Sequence, residues 1–179
     1  TPTLKRSNAH EIVGAECRAV REAAGLLDIT GFSRFEVSGP NAEAWLAHVM
    51  AGRLPSPGRA RLAPMLGHDG RLKGDLTVFN WGDGTWWIMG SYYLRDWHMR
   101  WFGAHMMDGV TLRDLGEEMA GFSLSGPNSR EVIEKLTGDV AALPFMGCGH
   151  FDLGLLRCKV GRLSVCGELG YEIHCRIGD

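Results

Sequence analysis

Apolar residues recur at three- and four-residue steps through the opening segment: Ile12, Val13, Ala15, Ala19, Val20, Ala23 and Ala24. That spacing predicts a helix over residues 10–27, with Gly25 as its end signal. The step then shortens to two. Phe35 and Val37 alternate with Arg34 and Glu36, which predicts a half-buried strand over residues 32–37. Ser38-Gly39-Pro40 turns the chain into a second helix at residues 41–50. Proline suits a first helical turn, because an N–H there has no partner in the helix and the ring already sets a helical φ. Further strands are expected at 61–66, 75–80 and 85–89, then a helix at 94–105, strands at 111–115 and 120–125, and a helix from Pro127 to about Leu136. Two more strands, 153–160 and 162–166, are expected to form a hairpin about Gly161, and a last strand covers 171–176. This order predicts an α+β fold of antiparallel hairpins with helices covering one face.

The strand–SGPN–helix unit occurs twice. Phe35-Glu-Val-Ser-Gly-Pro-Asn41 is matched by Phe122-Ser-Leu-Ser-Gly-Pro-Asn128, each ahead of an amphipathic run. Two equivalent βα units are the favoured reading, against a mere repeated helix opener. The second copy has the glycine spacing of a phosphate loop, Gly121 to Gly126, but Pro127 stands where a lysine is needed, so nucleotide binding is disfavoured.

Composition narrows the function classes. The 25 glycines in 179 residues are about twice the usual ~7% and scatter as turn punctuation. Lys plus Arg is 19 against 21 for Asp plus Glu, a net charge of −2, which argues against a nucleic-acid binder acting through bulk charge. The 5 cysteines lack the spacing of a disulfide framework and include no CxxC pair. Inert or buried thiols in a reducing, cytoplasmic setting are therefore expected, and no metal site; Cys148-Gly-His150 offers two ligands without a second pair. Neither a signal peptide nor a membrane span is expected. Of the 6 tryptophans, Trp97 and Trp101 stand at core spacing on one helix.

Two segments are over-specified for a scaffold. In Met65-Leu-Gly-His-Asp-Gly70-Arg-Leu-Lys-Gly74-Asp75-Leu-Thr-Val78, glycine turns put Asp75 at the head of an apolar strand. Aspartate is poor strand chemistry, so it either caps the turn or serves a site. In Cys166-Gly-Glu168-Leu-Gly-Tyr171-Glu172-Ile-His174, Glu172 and His174 share one face of the last strand, opposite Tyr171, Ile173 and Cys175. Both are either solvent-facing or part of a cleft in which a carboxylate reads paired N–H donors.

These motifs, with Arg21-Glu-Ala-Ala-Gly-Leu-Leu-Asp-Ile29, resemble the folate-binding aminomethyltransferase family typified by the T-protein of the glycine cleavage system. Their wording is most similar to the C-terminal halves of dimethylglycine and sarcosine dehydrogenases or oxidases. The resemblance implies a glycine cleavage T-protein-like folate-binding fold. It implies a split first subdomain (1–52 and 138–179), a ferredoxin-like subdomain (53–137) and a C-terminal barrel absent from this chain. The chain is accordingly expected to be a fragment, incompetent for turnover alone. The implied activity is tetrahydrofolate-dependent transfer of a one-carbon unit from a small amine-derived donor, with FAD only in an upstream flavin domain of the same enzyme. Asp75 matches the family's catalytic aspartate, and Glu172 its pterin-reading glutamate, with Glu168 in the same turn-and-strand motif. The family's aromatic positions are filled here by Val165 and Leu62, so folate contacts are expected to be weakened, since stacking contributes ~1–3 kcal/mol per contact. Two alternatives stand beside this one: a folate-dependent O- or S-demethylase, and a non-catalytic binding or assembly module of the same fold.

Overall fold

The computed structural model describes residues 4 and 6–178. Helix α1 (His10–Glu22) leads into strands β1 (Gly25–Asp28) and β2 (Ser33–Ser38), helix α2 (Ala42–Val49) and strands β3 (Arg59–Leu66), β4 (Leu72–Asn80) and β5 (Trp86–Gly90). Helix α3 (Arg95–Ala104) and strands β6 (Thr111–Asp114) and β7 (Met119–Ser125) follow. Helices α4 (Ser129–Glu134) and α5 (Gly138–Ala141) and strands β8 (Cys148–Leu153), β9 (Leu156–Gly161) and β10 (Gly170–Arg176) complete the order.

The strands form two five-stranded antiparallel sheets, in the orders β1-β7-β10-β9-β8 and β3-β4-β5-β2-β6. Strand alternation sorts the apolar residues into three layers. Phe35, Val37, Leu76, Val78 and Ile88 point outward from the second sheet and are covered by Trp45, Leu46 and Val49 of α2 and Phe102 of α3. Phe102 meets Phe35 and Trp45 edge-on, with ring centroids 5.3 and 5.6 Å apart, an arrangement aromatic quadrupoles favour. Phe79, Trp87 and Met89 point the other way, onto Met119 and Cys148 of the first sheet. Behind that sheet, Leu124, Val160 and Tyr171 pack on Ile133 of α4 and Val140 of α5. The two sheets therefore lie face to face with helices outside both.

The repeat seen in the sequence extends well beyond SGPN. Residues of β2-α2-β3-β4-β5 and of β7-α4-β8-β9-β10 trace the same course, and β2 and β7 each lie one strand in from an edge. The edge strands are exchanged: β1, ahead of the first unit, completes the sheet of the second, while β6, ahead of the second, completes the sheet of the first. At both SGPN turns the glycine has positive φ, 106° at Gly39 and 129° at Gly126, a conformation that favours glycine. The exchange also means that sheet membership cuts the chain differently from the expected subdomains. β2, within 1–52, joins the sheet of 59–114, and β7, within 53–137, pairs with β10.

Three expected elements differ. The first helix ends at Glu22, not near residue 27, because Ala23 leaves helical geometry (φ −138°, ψ −103°) and Gly25–Asp28 pairs with β7. The late hairpin comprises β8 and β9 about Gly154 (φ 65°), not a turn at Gly161, and no strand spans 162–166. Gly161 is needed instead because a Cβ there would meet Phe79 and Leu163 at 2.8 and 2.7 Å. No helix among the described residues is long and apolar enough to cross a membrane.

Candidate functional site

Asp75 and Glu172 reach one site from opposite sheets. On β4, Gly74, Leu76 and Val78 are buried, Leu76 and Val78 against α2 and α3, so Asp75 and Thr77 turn to the other face. On β10, Tyr171 and Cys175 enter the helix-covered core, which turns Glu172 and His174 toward the facing sheet. Between them lies a cavity of about 500 Å³ lined by Phe32, Leu62, Asp75, Thr77, Met89, Ser91, Phe145, Leu163, Val165 and Glu172, among others. Four of the five residues singled out from the sequence thus meet: Asp75, Leu62, Val165 and Glu172. Leu62 and Val165 are exposed apolar side chains on its rim. Glu168 lines neither this cavity nor its neighbour; its carboxylate pairs with Arg21 of α1. The neighbouring cavity, about 480 Å³, shares Phe32, Val165 and Glu172 and is otherwise walled mainly by Val20, Leu26, Leu27 and Ile29. Cys166 also lines it, with Sγ 3.0 Å from Ser164 Oγ. Cys17 and Cys166 are exposed, whereas Cys148, Cys158 and Cys175 are buried as expected for inert thiols.

Glu172 is the electrostatic centre of the site. It is 4% exposed, and among the described residues no group donates a hydrogen bond to its carboxylate. Burial pushes its pKa up to about 7, with Arg34 pulling it partly back. A carboxylate facing a cavity without donors of its own can accept two N–H groups from a ligand.

Behind Glu172 stands a buried pair, His174, which the sequence placed on the same face as Glu172, and Arg34, whose part the sequence pattern did not reveal. Arg34 is fully buried, and its Nε donates to His174 Nδ1 at 3.3 Å. Its terminal nitrogens donate to the carbonyls of Ile29, Thr30 and Phe32, all at 2.9 Å, which fixes the loop that walls both cavities. Burial brings the Arg34 guanidinium down to about 10. With Nδ1 accepting from Arg34, the His174 ring proton sits on Nε2, 3.8 Å from Glu172 Oε2. Burial, then Arg34 and Lys159, lowers His174 well below the usual histidine range, so the ring is neutral. In the sequence Arg34 reads as the polar half of an alternating strand. Only the packing of a second sheet onto that half shows where it goes.

The chain is 30% identical to the aminomethyltransferase of Bacillus subtilis (strain 168) over 168 residues, 92% of this chain and 46% of the relative. It is 27% identical to the mitochondrial dimethylglycine dehydrogenase of Mus musculus over 184 residues, 99% of this chain and 21% of the relative. The chain therefore spans less than half the length of these curated relatives. Among solved structures, it matches the glycine cleavage system aminomethyltransferase T of Bartonella henselae with a TM-score of 0.79 at 20% identity, over 89% of this chain and 44% of that one. It matches the heterotetrameric sarcosine oxidase of Corynebacterium sp. U-96 with a TM-score of 0.60 at 19% identity, over 97% and 88%. These two likenesses are of fold. The family model described as the GCVT N-terminal domain matches residues 2–179, and the chain belongs to that family.

Proposed function

We propose that this aminomethyltransferase-like domain binds tetrahydrofolate in the cavity between the sheets and serves transfer of a one-carbon unit from a small amine-derived donor. The observation that carries the reading is Glu172, a buried carboxylate that receives no hydrogen bond among the described residues, facing a cavity it shares with Asp75. The fit to a reduced folate rests on that acceptor and on the cavity's volume, about 500 Å³, within the usual range for small-molecule sites. When bound, tetrahydrofolate supplies the amine nitrogen that receives the one-carbon unit. Glu172 in its ionised form accepts adjacent N–H donors of the pterin edge, and charge assistance makes those bonds the stronger kind. Ligand donors also favour that ionised form against burial. Asp75, exposed on β4 and without a hydrogen-bond partner among the described residues, offers a second negative charge across the cavity that stabilises a cationic donor. Arg34 and His174 position Glu172 from behind. In the parent enzyme, an FAD-bearing domain of the dimethylglycine or sarcosine dehydrogenase type generates the donor.

The two carboxylates have separable roles, which gives the test. Asp75→Asn in the longest natural polypeptide that carries this domain should leave reduced-folate binding within about twofold and cut one-carbon transfer by ~10²-fold or more. Transfer that survives Asp75→Asn unchanged would assign the domain to binding or assembly instead.

A further inference from the structure

The internal repeat gives the candidate cavity a counterpart. Strand register makes the correspondence explicit. In the first unit Glu36 pairs with Trp87, Thr77 with Met89 and Leu62 with Thr77. In the second, Ser123 pairs with Glu172, Lys159 with His174 and His150 with Lys159. Trp87 thus corresponds to Glu172, Met89 to His174, Thr77 to Lys159 and Leu62 to His150. Two residues toward the start of each middle strand, Asp75 corresponds to Arg157. The counterparts of Glu172, Leu62, Asp75, Thr77 and Met89, namely Trp87, His150, Arg157, Lys159 and His174, all line one separate cavity of about 240 Å³, together with Glu36.

The two cavities carry opposite charge. Where the first presents Asp75 and Glu172, the second is lined by four basic side chains, Arg113, Arg157, Lys159 and Arg176, against two carboxylates, Glu36 and Glu118. Those two carboxylates are both engaged by one cation, Arg113, at 3.2 and 3.0 Å. Arg157 is held from outside by Asp152 at 3.0 Å. Lys159 Nζ lies over the rings of Trp81 and Trp87, 4.9 and 5.0 Å from their centroids, with Asp83 at 3.5 Å. Burial lowers the Lys159 ammonium, and Asp83 and Glu36 only partly restore it. Arg176 has no ion-pair partner among the described residues.

We propose that this second, repeat-related cavity binds a small oxyanion of the carboxylate or phosphate type, held by Arg176, Arg157 and Lys159. The guanidinium forks match the planar or tetrahedral oxygens of such a group, and the ammonium over two indoles adds a point charge from a low-dielectric wall. Its volume is about half that of the candidate cavity, which suits a short anion rather than a folate. The inference is independent of the proposed folate activity, because it needs neither Asp75 nor the cavity they share.

Trp87 provides the reporter, since its indole N–H donates to Glu36 inside this cavity at 3.3 Å. Inorganic phosphate and, separately, acetate are titrated at constant ionic strength while the Trp87 indole N–H resonance is followed by heteronuclear NMR. The Trp45 indole N–H, bonded to the His105 carbonyl far from the cavity, is the control for the fold. A saturable shift at Trp87 with either anion supports the site, and whichever anion saturates at lower concentration fixes the ligand type. Arg176→Gln should weaken that binding about tenfold. If Arg176→Gln shifts the Trp45 resonance, Arg157→Gln, whose native side chain is 61% exposed, replaces it. No saturation with either anion, or equal affinity in the arginine variant, overturns the proposal.

Discussion

Replacing Glu172 by glutamine should stabilise the fold at neutral and alkaline pH. The native side chain is almost wholly buried, and burial raises its carboxyl from an ordinary 4.5 to about 7, against the pull of Arg34. Between those values the folded state holds a proton that the unfolded chain has released. Stability is therefore complete below about 4.5, falls as pH rises toward about 7, and stays reduced above that. At ~1.4 kcal/mol per tenfold change in proton affinity, the interval amounts to roughly 3 kcal/mol. Glutamine has nearly the same volume and no proton to lose, so the variant lacks this slope. Urea denaturation of both proteins, without ligand, at about pH 5 and about pH 8 measures it, and the difference between the two proteins cancels the other titrating groups. The advantage of the glutamine variant should be roughly 2–3 kcal/mol larger at the higher pH. An advantage that is the same at both pH values would refute the reasoning, because it would mean that the native carboxylate is solvated or paired.

Three further substitutions probe the frame around the site. Arg34→Met removes the donors to the carbonyls of Ile29, Thr30 and Phe32 and should cost ~3–5 kcal/mol, read by urea denaturation, with faster amide exchange over residues 29–32. Tyr171→Phe should be neutral or stabilising by up to ~1 kcal/mol in the same assay, since the Tyr171 hydroxyl is buried without a hydrogen-bond partner among the described residues. Asp75→Asn should change stability by less than ~0.5 kcal/mol in a thermal melt, because the side chain is exposed and makes no hydrogen bond within the described residues.

Local signals in the sequence locate most of the elements and part of the site. The two-residue step of Phe35 and Val37, the two SGPN turns and the glycine-framed Asp75 each encode their structure within a few residues. Asp75 and Glu172 stand out as candidates for that reason, yet nothing local says that they share a cavity; two sheets must pack before they meet. What local reading misses depends on distant partners. Gly25-Leu-Leu-Asp28 continues a helical apolar pattern but becomes a strand, because β7 offers it an edge. Gly161 looks like a hairpin turn, whereas its missing side chain makes room for Phe79 and Leu163. Arg34 and His174 alternate as polar residues should on a half-exposed strand, yet both are fully buried between the sheets. Glu168 carries the right chemistry in the right motif but is engaged by Arg21 on the first helix. The internal repeat was visible only at its SGPN turns, since strand order and edge exchange leave no trace in spacing.

The central claim is that Glu172 reads a reduced folate in the cavity between the sheets. Calorimetric titration of tetrahydrofolate into the longest natural polypeptide that carries this domain, with and without Glu172→Gln, tests it directly. The account predicts saturable binding by the native protein, weakened ~10–100-fold in the variant, which corresponds to the ~1.5–3 kcal/mol of hydrogen bonds to a charged acceptor. Absence of binding by the native protein, or equal affinity in the variant, would contradict it.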